Sequence, residues 1–80
     1  MKFRVGLTTR RTIQNYAFDN YGRILNEISQ ISDSDPTKDI EKQITKILKG
    51  YSPELDHDYK VVVKPSPKKK FDYFVKLERK

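Results

Sequence analysis

His57 is the one histidine in the chain, and it stands among carboxylates in Glu54-Leu55-Asp56-His57-Asp58. An imidazole beside acids is the raw material of an acid–base dyad or a metal site. Ligands adjacent in sequence rarely converge on one ion, so the bland reading, a solvated polar loop, is the stronger. Asp33, Asp35 and Asp39 approach the spacing of a calcium loop. Its sixth position would be Lys38 where Gly is needed, and its twelfth Ile44 where Glu is needed, which excludes it. Gly6, Gly22 and Gly50 are too far apart to cradle a phosphate. Serine nucleophile elbows and helix-borne histidine pairs are missing. With no cysteine, thiol catalysis, disulfides and Cys-ligated metals fall away together. The expectation is a protein with no catalytic set, no metal site and no cofactor.

What remains is binding chemistry. Lys plus Arg number 17 against 11 Asp plus Glu, a net charge of +6. The excess is segregated, with residues 1–30 at +3, residues 31–58 at −3 and residues 59–80 at +6. Two basic ends around an acidic middle make a molecule with a positive side, provided the ends meet. Such a surface suits a polyanion. With 80 residues there is one small domain, spanning 1–80, and nine aromatic side chains argue against a disordered tail. No apolar run approaches the length of a membrane span and no signal peptide is present, so the sequence reads as soluble and cytoplasmic.

The elements that must position these charges follow from periodicity. Lys2 to Thr8 alternates, with Phe3, Val5 and Leu7 on one face, and reads as a strand. From Thr12 to Ser32, Ile13, Tyr16, Ala17, Tyr21, Ile24, Leu25, Ile28 and Ile31 recur at spacings of three and four, the stripe of an amphipathic helix capped by Thr9 or Thr12. A rival reading takes Asp19-Asn20-Tyr21-Gly22 as a type I turn and makes residues 12–29 a β-hairpin, giving βββαββ. A second helix is predicted from Asp35, as cap, and Pro36, at the first position, to Gly50. Its buried stripe is Ile40, Ile44, Ile47 and Leu48, while Glu41, Lys42 and Lys46 face water. Tyr51 to Asp58 reads as a polar loop. Tyr59 to Lys64 and Phe71 to Glu78 read as an antiparallel pair whose inner faces carry Tyr59, Val61 and Val63, and Phe71, Tyr73, Val75 and Leu77. The fold class is α+β, a two-layer sandwich in the order strand–helix–helix–strand–strand with a small, mainly antiparallel sheet.

Alternation then assigns the outward face: Lys2, Arg4, Lys60, Val62, Lys64, Asp72, Phe74, Lys76 and Glu78. With Lys64 opposite Asp72, Val62 would face Phe74 across the strands. A Phe ringed by Lys and Arg lets a base stack on the ring while phosphates meet the cations. The Lys68-Lys69-Lys70 run, between prolines and the last strand, adds flexible ammonium groups. Arg10 and Arg11, at the first strand–helix junction, are secondary candidates for gripping a phosphate. The same features have bland readings, since Lys protects exposed strands and a charge run keeps a loop solvated.

The expected function is a non-catalytic basic module that binds nucleic acid, DNA or RNA, or a nucleic-acid-processing protein. The alternative is a small inhibitor or adaptor, of the kind mobile elements and phages encode, that binds a host protein through the same patch. The exposed sheet edge and the Val62/Phe74 patch also leave room for a homodimer. In element order alone, with no motif shared, the chain resembles small bacterial messenger-cleaving toxins of the RelE type. That resemblance implies a metal-independent ribonuclease, with Arg10, Lys70, Tyr73 and Arg79 as its participants.

Overall fold

The computed structural model describes residues 1–67 and 70–80. The elements run β1 (Phe3–Val5), α1 (Leu7–Ala17), a 3-10 turn (Phe18–Asn20), α2 (Tyr21–Ser29), α3 (Thr37–Tyr51), α4 (Pro53–Asp58), β2 (Tyr59–Pro65) and β3 (Tyr73–Arg79). Three longer helices and the short α4 pack on a three-stranded sheet ordered β1-β3-β2. The strand–helix–helix–strand–strand plan holds, but the sheet is mixed. β2 pairs antiparallel with β3, and β1 pairs parallel to it.

The core is the seam between the layers. Ile13, Ile24, Ile28, Ile40, Ile44, Leu48 and Leu55 from the helices meet Val63 and Val75 from the sheet. Phe3, Val5, Tyr59, Val61, Tyr73 and Leu77 pack around it, as alternation requires. Leu7 does not join them. The strand stops at Val5 and α1 begins at once, with the Gly6 carbonyl accepting the Arg10 N–H at 2.9 Å. Leu7 therefore lies on a helix and is 64% exposed.

The first helical stripe is real but broken. Ala17 leaves helical geometry (φ −149°, ψ 55°), and a 3-10 turn separates α1 from α2. The Asp19-Asn20-Tyr21-Gly22 cluster, weak in helix propensity, marks the break and not a hairpin. Three further boundaries differ from expectation. Pro36 precedes α3, and the Asp35 carboxylate accepts from Gln43 Nε2 at 2.9 Å where a helix cap was expected. α3 runs past Gly50 to Tyr51. Residues Pro53–Asp58 form α4, where the Ser52 hydroxyl accepts the Leu55 N–H and Leu55 is buried. The Ser-Pro start is a helix signal, a cap followed by a first-turn proline.

Side chains from the helices close the edges of the sheet. Beyond Val5, β3 has no strand on its β1 side among the described residues, and the Leu77 N–H donates there to Thr9 Oγ1 of α1 at 3.2 Å. On the far edge, the Val63 N–H of β2 donates to Glu41 Oε2 of α3 at 2.8 Å. Glu41 does not simply face water. These contacts satisfy backbone donors that a strand would otherwise pair.

Three substitutions on α1 check this arrangement by denaturant unfolding. Leu7→Ala changes stability by less than about 0.5 kcal/mol, as an exposed site should, whereas Ile13→Ala costs about 2–5 kcal/mol. Thr9→Val keeps the shape but leaves the Leu77 N–H without its acceptor. It costs about 1–3 kcal/mol, with faster hydrogen exchange at the Leu77 amide.

Candidate functional site

The face of the sheet turned away from the helices carries the candidate site. Register sets its rows. Arg4 of β1 lies beside Phe74 of β3, and Lys64 of β2 lies on the other side of the same Phe. The next row pairs Lys76 with Val62, and the next pairs Glu78 with Lys60. Val62 thus faces Lys76 and not Phe74. The β2–β3 register is displaced by two residues from the expected one, and because the side-chain period is two, residues within the strands keep their faces. Phe71, expected to face inward, lies before β3 and lines a groove beside Phe74. Arg4, Lys60 and Lys64 are exposed, while Val62, Phe74 and Lys76 are half-buried.

The positive charge on this face is divided. Glu78 lies 3.3 Å from Lys76 Nζ and 3.7 Å from Lys60 Nζ. Its carboxyl is held below the usual range, first by the hydrogen bond from Lys76, then by the charges of Lys76, Lys60 and Lys64. Among the described residues, Arg4 and Lys64 stand outside these ion pairs. These two cations, outside the close ion pairs, flank Phe74.

Two grooves meet at this ring. One, about 300 Å³, is lined by Arg4, Lys64, Pro65, Ser66, Pro67, Phe71 and Phe74. The other, about 500 Å³, lies toward the start of α1 and includes Gly6, Leu7, Thr8, Phe74, Lys76 and Arg79. The outer edge of the Phe74 ring rests on Gly6. A Cβ there would sit 3.1 Å from Phe74 Cζ, tighter than an ordinary contact. Gly6 is a point of close approach beside the candidate site that sequence reasoning missed. A lone glycine at the end of a strand was its signal, since glycine there often marks a close approach.

The other candidates disperse. Lys2 is exposed, and its carbonyl accepts from the Asp72 and Tyr73 N–H groups. Lys70 is exposed, whereas Lys68 and Lys69 lie outside the described residues. Arg10 is not at a junction but within α1, its guanidinium 5.6 Å from the centroid of the Tyr21 ring, a cation–π contact. Arg11 is exposed on the same helix. Tyr73 donates its hydroxyl to the Asp33 carbonyl at 3.0 Å. Arg79 lies at the opposite end of β3, roughly 20 Å along the strand from Tyr73. These two do not converge on one phosphodiester.

His57 is equally dispersed, on the surface of α4. Its Nδ1 lies 3.0 Å from Asp58 Oδ1, and Tyr16 donates to Asp58 Oδ2 at 2.8 Å. The Asp58 carboxyl is pulled below its ordinary value, first by the His57 contact and next by Tyr16. The Tyr16 hydroxyl is pushed up by the same hydrogen bond. The imidazole is 87% exposed, so the set ties α1 to α4 and encloses no substrate. A separate depression of about 710 Å³ lies between α2 and α3, lined by Glu27, Gln30, Gln43, Lys46, Ile47 and Tyr51 among others. There Tyr51 donates to Glu27. Among the described residues, no helix is long and apolar enough to cross a membrane. No family model, curated protein or solved structure matches this chain.

The depressed carboxyls carry a sign. Glu78 and Asp58 titrate lower in the folded chain than in the unfolded one. What they add to stability is present above the ordinary carboxylate pKa near 4 and is lost as pH falls through their lower folded values. In a carboxyl NMR titration, Lys76→Met moves the Glu78 midpoint up toward the ordinary glutamate value and leaves that of Asp58 in place.

Proposed function

We propose that this protein is a non-catalytic module that binds single-stranded nucleic acid on the open face of its sheet. The observation that carries the reading is the row Arg4–Phe74–Lys64, one residue from each strand, with an aromatic residue flanked in register by two cations. Phosphates of a strand crossing the sheet would meet Arg4 and Lys64, and Phe74 would act as an apolar anchor for a base. Lys2 and Lys70, both exposed, extend the positive field, as would the neighbouring Lys68 and Lys69. Lys60 and Lys76, tied to Glu78, contribute less than their number suggests. A duplex is the poorer ligand, because its bases are stacked and closed to the ring.

Fluorescence anisotropy with a labelled single strand tests this. Affinity falls steeply with salt, and Arg4→Gln and Lys64→Gln each flatten the logarithmic slope by roughly 0.7. Glu78→Gln frees two lysines and tightens binding. A protein that leaves the strand unbound at low salt refutes the proposal.

A further inference from the structure

Resting on that reading, we infer that the groove beside Phe74 is a seat for one unpaired base, and that Gly6 is the positioning residue that holds the ring upright to form it. The groove has the chemistry of a base seat. Pro65, Pro67, Phe71 and Phe74 supply apolar walls, and among the described residues Arg4 and Lys64 are the cationic groups in its lining. Its volume, about 300 Å³, is at the small end of ligand sites and suits one flat ring system rather than a folded peptide segment. Charge complementarity selects the occupant. An apolar slot edged by two cations outside the ion pairs fits an uncharged aromatic ring whose flanking groups are anionic, which describes a nucleotide within a strand.

The ring is not held by the groove alone. Phe74 lines the depressions on both sides, so it stands as the partition between them. Its far edge, Cζ and Cε1, rests where Gly6 has no side chain, at 3.1 and 3.8 Å from the place a Cβ would occupy. A methyl group there forces the ring to give by a few tenths of an ångström or to turn. The backbone at Gly6 is ordinary extended chain (φ −68°, ψ 161°), so alanine meets no backbone strain and the effect passes through Phe74.

The test compares two labelled probes of about 12 nucleotides: oligothymidylate, and an abasic deoxyribose-phosphate strand of the same length and charge. The wild-type protein binds oligothymidylate roughly 5- to 150-fold more tightly than the abasic strand, with equal salt slopes. Gly6→Ala shrinks that ratio without changing the slope, and its fold is checked by circular dichroism and thermal melting. Phe74→Leu, which keeps apolar bulk but removes the flat ring, shrinks it independently should Gly6→Ala unfold. Equal affinity for the two probes in the wild-type protein overturns the base seat while leaving electrostatic binding standing. Binding of neither probe at low salt overturns the function itself. An acidic tyrosine-containing peptide that displaces oligothymidylate at comparable concentration assigns the groove to a protein partner instead.

Discussion

Every helix of this chain packs on the same side of a sheet only three strands wide, and the rest of the molecule follows from that constraint. The shared seam is built from isoleucines and leucines of the helices against Val63 and Val75. Burying such side chains is worth about 1.5–3 kcal/mol each, set against a backbone ordering cost of similar size per residue. Among the described residues, the core cluster lies on the helix side, and Arg4, Lys60 and Lys64 on the second face are exposed. That face must carry residues that tolerate water, and lysine and arginine do so with apolar stems lying on the sheet.

A narrow sheet also has edges close to everything. Where β1 ends, Thr9 takes over the Leu77 N–H, and where no fourth strand follows β2, Glu41 takes the Val63 N–H. The helices therefore do two jobs, burying the inner face and closing the edges with single side chains. The termini are tied in as well. The Met1 ammonium donates to the Ser29 carbonyl at 2.6 Å, and the Lys80 N–H donates to the Asp58 carbonyl at 2.9 Å. The pairing of β1 with β3 brings the two basic ends of the sequence into one sheet.

The electrostatics of the open face depend on one carboxylate. Glu78 gathers Lys60 and Lys76 at one end of β3 and leaves Arg4 and Lys64 around the aromatic ring at the other. Net charge alone suggests a uniformly basic surface. The register makes it a polarised one, with two cations that stand outside the close ion pairs among the described residues beside the apolar grooves, which is where a ligand combining a ring with phosphates would need them.

Much of this was legible in local patterns. Alternation assigned the inner and outer residues within β2 and β3 correctly, even with the pairing displaced by two, because a two-residue slip leaves faces unchanged. Phe71, expected on the inner face, precedes β3 and lines the outer groove instead. Three- and four-residue spacing marked the helical stripes. The turn chemistry at Asp19–Gly22 marked a true discontinuity but not its kind, since a turn residue reports weak helix propensity and not what the chain does next. Ser52-Pro53 signalled α4 and was hidden by the polarity around it. The chain by itself determined which residues within β2, β3 and the helical stripes face inward, where the cations lie along it and that the layers are helix and strand, because those properties depend on neighbours within a few positions. At the strand ends Leu7 and Phe71 escaped it. Only the tertiary structure decided that β1 runs parallel to β3, that Thr9 and Glu41 serve as edge acceptors, that Glu78 withdraws two lysines and that Phe74 rests on Gly6. Each of those is a contact between distant segments, selected by how the whole inner face packs.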